Sequence, residues 1–218
     1  MLLAREREEL AAAGRRIAAG GLVVNAAGNL SARAGGLVAV TPTGAALGEL
    51  RPEDCPVLDL GTGEPREGGY APTSETPLHL AVYRAYPDIR AVAHAHSLAA
   101  TALGCVRDDV PMLHYAMLTL GGGLRVAPYA TYGTEELAKA AVAALDGRTA
   151  ALLRNHGSIA LGDDLEQAVQ RLELTEWLCE LYARARALGE PREIPPERRA
   201  EAAGKLSGYG RRKATEDR

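Results

Sequence analysis

The stretch Ala91-Val92-Ala93-His94-Ala95-His96 constrains this chain more than any other part of it. An apolar run with two histidines two residues apart reads as a strand. Residues i and i+2 project from one strand face, about 6.6 Å apart along the chain. Both imidazoles can then lean toward one point while the alanines between them pack into the core. A second apolar run, Leu152-Leu153-Arg154-Asn155-His156-Gly157, ends on a third histidine. Gly157 is expected to permit the backbone turn from which His156 projects. Three neutral imidazoles and an open fourth position describe a catalytic zinc site, whereas structural sites close with four ligands, often cysteines. A lone strand histidine is more often a hydrogen-bonded core residue, and for the pair alone both readings stay open. The third histidine favours a metal.

The flanking patterns supply a frame for that strand. Leu2 to Ala19 reads as an amphipathic helix ended by Gly20-Gly21. Leu30 to Arg33 and Leu37 to Thr41 read as strands joined by a hairpin at Ala34-Gly35-Gly36, and Val57 to Leu60 as another strand. Thr73-Ser74 are expected to cap a helix running to about Tyr86, where Pro87-Asp88 stops it. Ile89 to His96 is the histidine strand, Ser97 to Gly104 a helix, and Met112 to Leu120 is ambiguous between the two. Thr134 starts an Ala-rich helix, and Thr149 to Arg154 forms a buried strand. Asp163-Asp164 cap the longest helix, which Gly189 and Pro191 end. Hairpins and close-spaced strands argue against a strictly parallel sheet. The expected architecture is α/β, with one mixed or mainly antiparallel sheet covered by helices. Residues 1–218 read as a single domain, with 190–218 a charged C-terminal tail.

Charge and cysteine content narrow the function classes. A net charge of −3 and a pI near 6.0 leave no electrostatic footprint for nucleic acid. Apolar runs fall short of a membrane span, and the charges in Arg5-Glu6-Arg7-Glu8-Glu9 interrupt any secretory signal. The three cysteines are far apart and lack a C-x-x-C pattern, which suits reduced thiols and a cytoplasmic setting.

Glu75 lies in Ala71-Pro72-Thr73-Ser74-Glu75-Thr76, at an expected helix start. An acid there commonly serves only the helix macrodipole. Its functional reading is a general base beside hydroxyls and free N–H groups that could hold an anion. Gly28-Asn29-Leu30-Ser31 and Thr41-Pro42-Thr43-Gly44 read as two further polar turns able to cradle an anion, each a weak signal alone. His79 and His114 read as partners in local hydrogen bonds rather than ligands.

In chain order G-N-L-S, T-P-T-G, T-S-E, H-A-H and N-H-G resemble the class II aldolase/epimerase family of sugar phosphate enzymes, from about Glu9 to Leu188. The branch resembled most is that of the fuculose-phosphate aldolases, through His114-Tyr115, Gly121-Gly122-Gly123 and Ala127-Pro128-Tyr129-Ala130-Thr131-Tyr132-Gly133-Thr134. The resemblance implies an α/β/α sandwich around a largely antiparallel sheet, assembled as a homotetramer. It also implies one Zn2+ per subunit on His94, His96 and His156, with Glu75 as acid/base and as a further metal contact when no substrate is bound. Gly28, Asn29, Thr43, Gly44, Thr73 and Ser74 would hold the phosphate of a small sugar. Tyr115, from a neighbouring subunit, would handle the hydroxyl proton at the aldehyde carbon, with Tyr209 in a related role. The implied reaction is cleavage of L-fuculose 1-phosphate to dihydroxyacetone phosphate and L-lactaldehyde.

Three rivals stand beside it. An L-ribulose-5-phosphate 4-epimerase of the same family uses an aspartate where Pro111 to Leu124 here contain no acid. A sugar-phosphate dehydratase would share the three-histidine site. A non-catalytic metal-binding module would need neither a phosphate cradle nor Glu75.

Overall fold

The computed structural model describes residues 1–207, so Tyr209 lies outside the described residues. Its strands are β1 (Asn29–Ala34), β2 (Leu37–Val40), β3 (Val57–Asp59), β4 (Pro65–Glu67), β5 (Ala91–Ala95), β6 (Asp109–Val110), β7 (Leu124–Ala127), β8 (Ala150–Leu153) and β9 (Gly157–Gly162). The helices are α1 (Ala4–Ala19), α2 (Thr76–Ala85), α3 (Leu98–Val106), α4 (Glu135–Ala144), α5 (Leu165–Leu188) and α6 (Pro196–Ser207). Among the described residues the strands form one sheet in the order β4-β3-β2-β1-β5-β9-β8-β7-β6. Every neighbouring pair is antiparallel except β7 with β8.

Side chains alternate across this sheet with the period of two that pleating imposes. Leu30, Ala32, Ala39, Ala91, Ala93, Ala95, Leu152 and Ala160 join a core with Leu10 and Ile17 of α1, Leu103 of α3 and Leu172 of α5. Val38, Val40, Val92, Ala151, Leu153, Ile159 and Leu161 join a second core with Leu78 and Val82 of α2 and Leu137 and Ala141 of α4. Helices therefore cover both faces, which gives the expected α/β/α sandwich. β5 runs through its middle, and His94 shares the α2/α4 face with Val92.

The ambiguous Met112–Leu120 segment resolves into a 3-10 helix over Tyr115–Leu120, with the His114 ring accepting from the Ala116 N–H at 3.2 Å. Sequence patterning left β9 unassigned, and it is the strand that pairs β5 on the side away from β1. Its sequence Gly-Ser-Ile-Ala-Leu-Gly is buried at every position, so it offers no polar alternation to read. The segment after Gly189 also holds structure. Ile194 N–H donates to Met112 O at 2.8 Å, and α6 follows with a proline at its start.

Candidate metal centre and active site

The metal-competent group is assembled over the end of β5 from three separate segments of the chain. His94 is the fourth residue of β5 and is fully buried, while His96 lies one residue past the strand and is partly exposed. Their Nε2 atoms are 2.9 Å apart. His156 enters from the tight turn between β8 and β9. There its N–H donates to Leu153 O at 3.1 Å, and Asn155 adopts φ 54°. The left-handed residue of that turn is thus Asn155, a residue type that tolerates it. Gly157 serves differently from the turn role expected of it: a Cβ there would lie 2.2 Å from Ala95 O. It lets β9 close on β5 and brings His156 to the other two rings. The three ring centroids are 4.6 to 4.8 Å apart.

Glu75 completes the group from the start of α2. Its Oε2 lies 3.0 Å from His94 Nε2 and its Oε1 3.3 Å from His156 Nε2. The four potential ligand atoms all lie within 4.8 Å of one another. Tetrahedral bonds of about 2.0–2.1 Å place neighbouring donor atoms roughly 3.3 Å apart, close to the 2.9, 3.0 and 3.3 Å contacts within the group. Two details fit a metal. Glu75 Oε1 is buried without a hydrogen-bond partner. His94 Nδ1–H donates to Ser158 O at 2.9 Å, which in the neutral ring leaves the Nε2 lone pair facing the group.

Electrostatics separate the members. Burial pushes the Glu75 carboxyl up, but the His94 and His156 imidazoles and the Asn29 amide outweigh it and hold the group well below the carboxylate range. Burial pushes His94 down, yet the adjacent carboxylate leaves it raised above its ordinary value. His96 and His156, desolvated and beside His94, fall to about 4, so both present neutral rings at physiological pH.

A cavity of about 380 Å³ opens above the group. Gly28, Asn29, Thr43, Gly44, Thr73, Ser74, Glu75, His96 and His156 all line it. The turns holding the cradle residues are stitched together, since Thr43 N–H donates to Ala71 O and Thr73 N–H to Thr41 O, each at 3.0 Å. Thr43 and Ser74 are exposed to the cavity, whose lining among the described residues contains no lysine or arginine. Two local expectations change. The helix cap is Glu75 rather than Thr73-Ser74, because Thr73 Oγ1 accepts only from Glu75 N–H, at 3.3 Å, before the helix begins. The Gly28–Ser31 segment is the entry to β1 rather than a turn, and Ser31 points into the core below α2.

Tyr115 does not line this cavity; it is about half exposed and packs on His114 at 4.3 Å. Tyr129, Tyr132 and Asn155 do line it and were not singled out as site residues from sequence. The two tyrosines lie in the stretch that carried the family resemblance, which was the available signal. Asn155 opens the N-H-G motif of that resemblance, but its place at the cavity depends on the turn between β8 and β9.

The family model for the class II aldolase and adducin N-terminal domain matches residues 8–183. The 5-deoxy-D-ribulose 1-phosphate aldolase of Bacillus thuringiensis is 38% identical over 212 residues, 96% of this chain and 99% of that protein. The L-fuculose phosphate aldolase of Escherichia coli is 37% identical over 172 residues, 78% of this chain and 79% of that protein. A solved L-fuculose 1-phosphate aldolase superposes with a TM-score of 0.90 at 37% identity, covering 95% of this chain and 98% of its own. With a histidine triad and a carboxylate gathered under an open cavity, and with these matches along nearly its whole length, the chain belongs to the class II aldolase family and is an aldolase.

Proposed function

We propose that the chain is a zinc-dependent aldolase that reversibly cleaves a deoxyketose 1-phosphate to dihydroxyacetone phosphate and a short aldehyde. The observation that carries this reading is the buried Glu75 carboxylate, with one oxygen lacking a partner, at the meeting point of three imidazoles beneath the cavity. L-Fuculose 1-phosphate, which releases L-lactaldehyde, is the six-carbon candidate. The end-to-end match to the Bacillus relative favours a five-carbon substrate, 5-deoxy-D-ribulose 1-phosphate, which would release acetaldehyde. Both share the phosphorylated three-carbon half and end in a methyl group, so one cavity could serve either.

His94, His96 and His156 would hold the ion. When bound, it supplies Lewis-acid stabilisation of the negative charge left on the three-carbon fragment as the carbon–carbon bond breaks. Glu75 Oε1 returns a proton to the carbon that was C3 of the ketose, and takes it away in the reverse direction. Thr43, Thr73 and Ser74, with N–H groups of their turns, hold the phosphate through neutral donors. Its remote binding energy keeps the reacting carbons in place. Tyr115 of a neighbouring subunit and Tyr209 would handle the C4 hydroxyl proton in a cytoplasmic homotetramer. Exposed Leu98, Val106, Tyr115 and Trp177 are in keeping with such an assembly. No helix among the described residues is long and apolar enough to cross a membrane.

A coupled assay for dihydroxyacetone phosphate with both ketose 1-phosphates, beside an assay for released L-lactaldehyde with unphosphorylated L-fuculose, tests the reading. One phosphorylated sugar should turn over, chelation should abolish the activity, and zinc should restore it. Glu75→Gln should lower turnover roughly a hundredfold or more while zinc stays bound. Full activity in metal-free protein, or in the Glu75→Gln enzyme, would refute the mechanism.

A further inference from the structure

Behind Glu75, on the side away from the cavity, a line of polar side chains runs through the α2 face of the sheet. Asn29 Nδ2 lies 2.8 Å from Glu75 Oε2, and Asn29 Oδ1 lies 2.5 Å from His79 Nε2. His79 Nδ1 lies 2.6 Å from Ser31 Oγ, which lies 2.8 Å from the Tyr83 hydroxyl. All five residues are buried, and His79 and Ser31 are completely so.

Hydrogen-bond chemistry gives this line a direction. An ionised carboxylate only accepts, so Asn29 must present its N–H to Glu75. Its carbonyl oxygen then faces His79 and needs a donor, which Nε2–H supplies. A fully buried imidazole with no carboxylate against its ring nitrogens stays neutral, so Nδ1 is left as an acceptor. Ser31 therefore donates to His79 and in turn accepts from the Tyr83 hydroxyl. Tyr83's other acceptor is Arg90 O, a longer contact at 3.4 Å. We propose that Tyr83, Ser31, His79 and Asn29 form a one-way hydrogen-bond chain that fixes the Glu75 carboxylate, with His79 as a positioning residue for the acid/base. This inference rests on the aldolase reading for the role of Glu75, but not for the direction of the chain.

The opposite tautomer shows why His79 is the decisive link. A bare Nε2 would face the Asn29 carbonyl oxygen at 2.5 Å, two acceptors in contact. Rotating the amide to relieve this would set its oxygen against Glu75 Oε2. Either arrangement drives the carboxylate from its place. A packing role alone would need none of this, because an apolar residue of similar shape fills such a site at no penalty from a half-satisfied polar network. The chain also accounts for the geometry of Glu75, which caps α2 without using its side chain as the cap.

Two measurements test the proposal on the full-length, zinc-loaded enzyme. Nitrogen-15 spectra of histidine-labelled protein, with the His79 signals assigned by their loss in His79→Gln, should show protonated Nε2 and bare Nδ1. A protonated Nδ1, in either the neutral or the charged ring, would overturn the chain whatever the substrate proves to be. The second measurement compares two amide replacements. His79→Gln can place an N–H near the Nε2 position and should stay within about threefold of wild-type kcat. His79→Asn cannot reach Asn29 and should lose about ten- to a hundredfold in kcat, with KM and zinc content little changed. Equal losses in the two variants, or losses confined to KM or zinc content, would assign His79 a structural role only. If neither variant folds, the wild-type tautomer, assigned instead by elimination from single substitutions of the other histidines, decides the matter. An enzyme inactive on every ketose phosphate would remove the aldolase reading while leaving that spectrum equally decisive.

Discussion

At Gly157 a hydrogen stands where any other residue would press on β5. A Cβ at this position would lie 2.2 Å from Ala95 O and 3.2 Å from His96 Cα, so even alanine must push the two strands apart. Because His96 and His156 flank this contact, the separation falls directly on the spacing of two imidazoles. Gly157→Ala should cost about 1–3 kcal/mol of stability, as overpacking generally does, and should weaken zinc binding as well. Thermal denaturation of the metal-free protein and equilibrium dialysis with zinc measure the two effects separately. Wild-type values in both would show that the strands can move without disturbing the site. Asn155 makes the complementary point, since its left-handed φ of 54° lets a tight turn aim His156 back at His94.

Elements are tied together by charged groups on distant parts of the chain. Glu176 of α5 accepts from Ser97 Oγ at 2.7 Å and from the N–H groups of Ala99 and Ala100 at 2.7 and 2.8 Å. It caps α3 across the fold, immediately after His96, where a negative charge complements the helix dipole. Arg7 of α1, almost fully buried, reaches Glu67 of β4 at 2.6 Å and so pins the N-terminal helix to the edge of the sheet. The Leu2 N–H first, and then Arg7, hold the Glu67 carboxyl below its ordinary value of 4.5. A carboxylate with a depressed native pKa contributes stability above its unfolded pKa, and that stability is lost as pH falls. Below about pH 4.5 wild-type stability should therefore decline partly through this pair. Glu67→Gln should start lower at neutral pH and show a shallower acid decline in melting temperature. Parallel curves for the two proteins would remove the pair from the acid response.

For the molecule as a whole, the distribution of lysine separates metal chemistry from the Schiff-base alternative, which needs a buried lysine of lowered pKa. The chain has only Lys139, Lys205 and Lys213. Lys139 is exposed on α4, away from the cavity lining, and Lys205 on α6 pairs with Glu201 at 3.0 Å. Lys139 follows Glu135 at i,i+4 spacing, but the two form no ion pair among the described residues, and Lys213 lies outside them. Borohydride added during turnover should leave the intact mass of the protein unchanged. A substrate adduct on any lysine would replace the metal mechanism with a covalent one.

Much of this protein could be read from local pattern. H-x-H on an apolar strand put His94 and His96 on one face because strand geometry depends on neighbours alone, and both ends of α1 and α5 and the start of α4 followed from caps and glycines within a residue or two. The ordered motifs carried the family, and with it the triad and Glu75. What local pattern could not supply was anything set by contacts between distant segments. β9 is buried throughout and has no alternation to betray it. Gly157 is required by β5, far earlier in the chain, rather than by its own turn. Ser31 belongs to the core under α2 although its motif suggested a cradle. The line from Tyr83 to Glu75 exists only because β1 and α2, distant in sequence, are pressed together by the sandwich. Sequence named the candidate ligand types; packing decided which atoms face one another, because hydrogen bonding and metal geometry depend on distances of a few ångströms that no local propensity encodes.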